Sequence, residues 1–116
     1  MVFQKNKNIR SKREFDLIYK KGKFFSGRFF SLRVLPQENK KETRFAIVIG
    51  LKISKKAVLR NRKKRQLREI VRLNYNRIKP GYLFLIVAKR SVLDASYHDL
   101  EKEFVFLCKK AEIIHD

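Results

Sequence analysis

Ten of the 21 residues from Lys52 to Arg72 are Lys or Arg, and Glu69 is the only acid among them. Folding such a block gathers like charges, so any fold the chain adopts must present this segment to a polyanion. The segment also has a helical pattern. At about 100° per residue, Leu59, Leu67, Ile70, Val71 and Ile78 gather on one side of a wheel. Asn61, Arg62, Arg65, Arg68 and Arg72 gather on the opposite arc, with Arg60, Lys63 and Lys64 nearer the flanks. The spacing predicts a long helix that starts between Ser54 and Ala57 and packs its apolar side on a sheet. It should end near Ile78, because Lys79-Pro80-Gly81 disfavours helix and supplies a turn.

A merely solvated helix intersperses Glu with Lys at i,i+4, whereas this face is nearly all cation. Phosphate binding is the better reading. Arg outnumbers Lys on the exposed arc, and its planar fork grips phosphate bidentately and stacks on bases. Asn61 adds an amide able to bond a base edge, a sugar hydroxyl or a backbone group. Lys52, Lys55 and Lys56 cluster at the helix entrance beside free backbone amides, a natural anion site.

The rest of the chain says what carries this helix. With 116 residues, 44% of them hydrophobic and ten Phe among them, the chain has enough apolar surface for one packed domain. That excludes a disordered basic tail. Residues 1–93 hold 27 basic and 5 acidic side chains, and residues 94–116 hold 3 and 6. The asymmetry implies a nucleic-acid-facing body and an ordinary solvated last helix. A membrane is the rival polyanion, but the basic segment lacks a paired apolar face. The longest apolar run, Tyr82 to Ala88, is far below the ~20 residues that span a bilayer. The N-terminus has no apolar core of a secretory signal. The lone Cys108 excludes an intramolecular disulfide and reads as a small buried hydrophobe in a reducing compartment. A cytoplasmic protein without membrane partners is expected.

Residues 1–10 read as a basic N-terminal arm, and residues 11–116 as the single RNA-binding domain. Ser11 with Glu14 forms an S-x-x-E capping box for a first helix, and Gly22 stands where a left-handed C-cap belongs. Phe29 to Leu35 alternates as a half-buried strand. Arg44 to Leu51 is apolar on both faces and is expected to be central in the sheet. Tyr82 to Ala88 is a third, fully buried strand, and Lys23 to Ser26 could add a short fourth. Asp94 or Ser96 could cap a last helix, in which Leu100, Phe104, Leu107, Cys108 and Ala111 repeat at helical spacing. The order α-β-β-α-β-α predicts an α+β fold with helices layered on a small sheet.

A second constellation is aromatic. Phe15 and Tyr19 stand four apart on the first helix in a basic region, where core packing and stacking on unpaired bases both remain open. Phe24, Phe25, Phe29 and Phe30 read as core and strand residues. No catalytic set emerges. His98 and His115 pair with no nucleophile and have no metal-ligand spacing. Asp94, Asp99, Glu101 and Glu103 read as capping and solvating acids. Neither catalytic residues nor a metal site are expected on the protein.

The run Ala57-Val58-Leu59-Arg60-Asn61-Arg62-Lys63-Lys64-Arg65-Gln66-Leu67-Arg68-Glu69 resembles the signature of the bacterial ribonuclease P protein subunit. That family carries an RNR segment, a basic pair and an R-E on one helix. Phe15, Tyr19 and Gly22 match its first helix in spacing, Arg28-Phe29-Phe30 its first long strand, and Val87-Ala88-Lys89-Arg90 the end of its last strand. The resemblance implies a two-layer α/β sandwich with a small mixed sheet and a left-handed βαβ crossover around the basic helix. It further implies the protein subunit of an endoribonuclease whose RNA subunit, with Mg²⁺, removes the 5′ leader of precursor tRNA, at one protein per RNA.

Carried onto this chain, the family's RNA-binding positions are Lys52, Lys55, Lys56, Arg60, Asn61, Arg62, Lys64, Arg65 and Arg68. Its leader cleft falls on Phe15, Tyr19, Ser31, Arg33, Lys89 and Arg90. Some relatives carry an aromatic at Arg33, so a cationic contact is implied there in place of stacking. The alternative is a ribosomal-type or chaperone RNA-binding protein with no role in cleavage. It would need neither the aromatic pair nor the RNR helix.

Overall fold

A computed structural model of the chain describes residues 7–37 and 42–115. Three helices, α1 (Lys12–Lys21), α2 (Ala57–Asn74) and α3 (Tyr97–Lys110), accompany four strands. The strands are β1 (Lys23–Ser26), β2 (Phe30–Pro36), β3 (Arg44–Val48) and β4 (Tyr82–Ala88), in the sheet order β1-β2-β4-β3. The first three of these pair antiparallel, while β3 joins β4 in parallel through the crossover that contains α2. The sheet is mixed and open, and the α+β expectation holds.

One face of the sheet carries the main core. Phe30, Leu32 and Val34 of β2, Phe45 of β3 and Phe84 and Ile86 of β4 point to it, as strand alternation requires. From α2 come Leu67, Ile70 and Val71, and from α3 come Leu100, Phe104, Leu107 and Cys108. The Phe84 ring lies 5.5 Å from that of Phe45 and 6.0 Å from that of Phe104, so strands and α3 meet through aromatic contacts. On the opposite face, α1 covers only part of the sheet. Its Ile18 packs with Ile9, Leu83 and Leu85, and Phe15 lies at their margin.

Several boundaries depart from the sequence expectations. The short strand at Lys23–Ser26 exists. The strand at Arg44 is an edge strand and ends at Val48. Its apolarity on both faces reflects cover from the two helical layers, and its outer edge meets Asn8 and Ile9, whose amide donates to the Phe45 carbonyl at 2.9 Å. Lys7 and Ile9 of the expected arm are buried, so residues 7–10 belong to the domain, while residues 1–6 lie outside the described residues. Helix α2 stops at Asn74, and a 3-10 turn over Tyr75–Arg77 leads to Ile78, which bridges to Ile114.

Gly22 is not a left-handed cap. Its φ of −71° is open to any residue, and glycine is needed for space. A Cβ there would stand 2.5 Å from the Ile18 carbonyl oxygen and 3.2 Å from that of Val34. Only half of the first capping box forms: the Glu14 amide donates to the Ser11 hydroxyl, while the Glu14 carboxylate pairs with Arg44. At α3 both halves of the Ser96–Asp99 box are present, and they hold the Asp99 carboxyl below its usual range.

Candidate nucleic-acid interface

The buried stripe of α2 is Lys63, Leu67, Ile70, Val71 and Asn74. Opposite it, Asn61, Arg62, Arg65 and Arg68 are exposed, and Lys64 is half-exposed. Arg72 also lies on this arc but pairs with Glu69, whose carboxyl is held low by that hydrogen bond. Among the described residues no side chain caps the N-terminus of α2, and its first turn holds no acid. Lys52, Lys55 and Lys56 are exposed around it, so the positive end of the helix dipole is reinforced by three cations. A string of cations along a helix, added to the helix's own positive end, suits an extended polyanion better than a point ligand.

Some of the predicted cations also hold the protein's own backbone. The Arg60 guanidinium donates to the Ser54 carbonyl at 2.7 Å, and Arg90 donates to the Lys52 carbonyl at 3.2 Å. Both brace the loop that leads into α2. Lys63, placed by the wheel on a flank, is buried and donates to the Ala95 carbonyl at 2.6 Å. Burial, together with the neighbouring Arg62 charge, lowers its pKa.

The opposite sheet face, beside α1, holds a second set of groups. Strand register puts Ser26, Ser31, Val87 and Val48 in one row, and Phe24, Arg33, Leu85 and Ala46 in the next. The Arg33 guanidinium stands 5.1 Å from the Tyr19 ring centre and 4.8 Å from that of Phe24. Tyr19 is 44% exposed and Phe24 54%, so one cation and two rings form an open stacking surface beside α1. Phe15 sits half-buried at its edge.

Phe24 was expected in the core, yet alternation turns it to this face, while Phe25 and Phe29 pack against the main core and Phe30 is fully buried within it. The paired Phe24-Phe25 hides the difference, since only register decides which ring faces in. Ser31 is 6% exposed and offers little surface. The Lys89 ammonium donates to the Ser26 hydroxyl at 2.6 Å and to the Gly27 carbonyl, which leaves it as a brace at the rim of the face.

His98 and His115 are exposed, and among the described residues no three His, Cys, Asp or Glu side chains come together to hold a metal ion. No helix among them is long and apolar enough to cross a membrane.

With this geometry in hand, comparison with known proteins is specific. The sequence profile described as Ribonuclease P matches residues 3–112. A ribonuclease P protein component of Finegoldia magna is 42% identical over 110 residues, covering 92% of both chains. One from Clostridium botulinum is 37% identical over 121 residues, covering 100% of this chain and 94% of its own. Among solved structures, the RNase P protein of Thermotoga maritima superposes with a TM-score of 0.79 at 26% identity, over 89% of this chain and 96% of its own. A Staphylococcus aureus RNase P protein mutant, described as defective in mRNA degradation activity, gives 0.87 at 24% identity over 95% and 92%, a likeness of fold.

Proposed function

This chain belongs to the ribonuclease P protein family, and from that premise we propose a division of labour between its two faces. As the protein subunit of ribonuclease P it partners the RNA of that enzyme. In our reading, the exposed arc of α2 (Asn61, Arg62, Lys64, Arg65 and Arg68), with Lys52, Lys55 and Lys56 at its entrance, takes the RNA subunit. The opposite face (Tyr19, Phe24, Arg33 and the margin of Phe15) takes the single-stranded 5′ leader of precursor tRNA.

The carrying observation is that the two sets lie on opposite sides of one sheet. An RNA surface docked on α2 leaves the Tyr19–Arg33–Phe24 group on the far side of the sheet, so the protein can bridge two RNA segments. The chemistry of each side suits its assignment. Arginine forks on a helix grip a folded backbone, whereas exposed rings flanking a guanidinium accept unpaired bases of any identity. Arg60, Arg90 and Lys89 support these surfaces by holding loops.

Catalysis in this reading belongs to the RNA, with Mg²⁺ held mainly by RNA phosphates. The protein supplies substrate affinity and screens phosphate repulsion, which lets the ions bind at lower concentration. A chaperone-type RNA binder without a role in cleavage has no specific observation in its favour.

The test is 5′ cleavage of precursor tRNA by a bacterial ribonuclease P RNA at low Mg²⁺, with and without this protein. Stimulation that is larger for leader-bearing substrates is expected. No stimulation at any protein concentration would refute the reading.

A further inference from the structure

The turn between β1 and β2 is gripped from three directions. The backbone N–H groups of Arg28, Phe29 and Phe30 donate to the Glu103 carboxylate of α3 at 2.6, 2.8 and 3.0 Å. From the end of β4, Lys89 donates to the Ser26 hydroxyl and the Gly27 carbonyl, and beyond it the Ser91 hydroxyl donates to the Arg28 carbonyl at 2.7 Å. Gly27 makes the room: a Cβ there would lie 2.6 Å from the Glu103 carboxyl carbon and 2.8 Å from the Phe30 carbonyl oxygen. Three successive amides converging on one group form an anion-binding concavity. Here the chain fills it with its own carboxylate, which is not what a solvating helix acid does.

The consequence lies on the other side of the sheet. β1 is a four-residue edge strand that, among the described residues, pairs with β2 alone. It carries Phe24 opposite Arg33, and the turn is the covalent link that sets this pairing. Without the carboxylate, three amides of the turn would need new partners, and the link from β1 into β2 would lose its hydrogen bonds to α3.

We propose that Glu103 is a positioning residue for substrate: seated in the turn's anion nest, it holds β1 so that Phe24 and Arg33 present one leader-binding surface. This rests on the leader-face reading above, and the experiment separates the two. Equilibrium binding of precursor tRNA with a leader, and of the same tRNA without one, is measured for complexes of a bacterial ribonuclease P RNA with the wild-type protein, Glu103→Ala, Glu103→Gln and Gly27→Ala. A wild type that shows no preference for the leader overturns the leader-face reading itself.

Given that preference, Glu103→Ala and Gly27→Ala are expected to reduce it by about fivefold or more, as for loss of charge-assisted bonds, with affinity for the RNA subunit unchanged. Glu103→Gln, which keeps one acceptor oxygen, should fall between. Acetate, compared with chloride at matched ionic strength, should restore the preference in Glu103→Ala, where the nest is vacant, and not in Gly27→Ala, where it is obstructed. An unchanged preference, equal weakening of both substrates, or acetate no better than chloride would overturn the proposal. Should Glu103→Ala fail to fold, the preference measured for Glu103→Gln and Gly27→Ala decides it.

Discussion

The Arg33 guanidinium lies 5.1 Å from the centre of the Tyr19 ring and also donates to the Tyr19 carbonyl at 3.4 Å. Strand β2 and the end of α1 are thus joined by a cation, and the Phe24 ring at 4.8 Å completes the stack. A guanidinium aligned by two rings keeps its planar donor edge oriented, ready for a phosphate or a base edge.

Removing one ring should therefore act on substrate recognition. Phe24→Ala is expected to weaken binding of leader-bearing precursor tRNA by about twofold to fivefold, the scale of one exposed cation–π contact. Leaderless tRNA should bind as before. Equal weakening of both substrates, read by equilibrium binding, would assign Phe24 to stability alone.

Phe15 combines two roles, because it packs against the small core of Ile9, Ile18, Leu83 and Leu85 while bordering the open face. Phe15→Ala should lower unfolding free energy by about 2 kcal/mol, less than for a fully buried ring. It should also reduce leader preference. Denaturant unfolding and paired substrate binding measure these separately, and loss of stability without loss of preference would return Phe15 to the core.

The cations of α2 should divide by what their side chains already touch. Arg65→Ala and Arg68→Ala, both at exposed positions, should each weaken RNA-subunit binding and flatten its log–log salt dependence by about one. Arg60→Ala releases the Ser54 carbonyl and the entrance loop. Its affinity loss should come with little change in slope. Equal slope changes for all three would place Arg60 on phosphate.

Sequence reading succeeded where periodicity and punctuation coincide. The S-x-x-D of Ser96 starts α3, Pro80-Gly81 precedes β4, and the Leu67–Ile70–Val71 stripe faces the sheet. It failed where the deciding partner is remote. Apolarity on both faces of β3 reports cover, not a central position, because strand order depends on which edges pair. The resemblance marked Arg60, Lys89 and Arg90 as RNA-contacting, and nothing in their charge shows that each also engages a backbone carbonyl brought near only by folding. Lys63 and Glu103 share this limit, since each meets backbone far along the chain. The family resemblance reached further than periodicity here because its spacing spans several elements at once.

At Gly22 the two explanations for glycine predict different outcomes. With φ at −71°, alanine meets no dihedral penalty, so any cost must be steric. The contacts at 2.5 and 3.2 Å are with backbone carbonyls of α1 and β2, which cannot swing aside as a side chain can. Gly22→Ala should destabilise the fold by about 1–3 kcal/mol, as overpacking does. A neutral or stabilising effect in denaturant unfolding would show that α1 and β2 yield easily at this junction.

Cys108 offers a test of core integrity through pH. Its side chain is fully buried, and burial pushes the thiol up to about 12 from an ordinary 9, against a small opposing pull from Arg77. Because the folded-state value is raised, this thiol's contribution to stability is fully present below about pH 9. Above that, the unfolded chain releases the proton while the folded chain keeps it, so the contribution erodes as pH rises toward 12. The stability difference between wild type and Cys108→Ala, measured by denaturant unfolding, should accordingly shrink through that window, and the comparison cancels the titration of the many lysines common to both. Alkylation of the native thiol near pH 8 should proceed only as fast as the core opens. Rapid alkylation without unfolding would mean that α3 separates from the sheet in the native state.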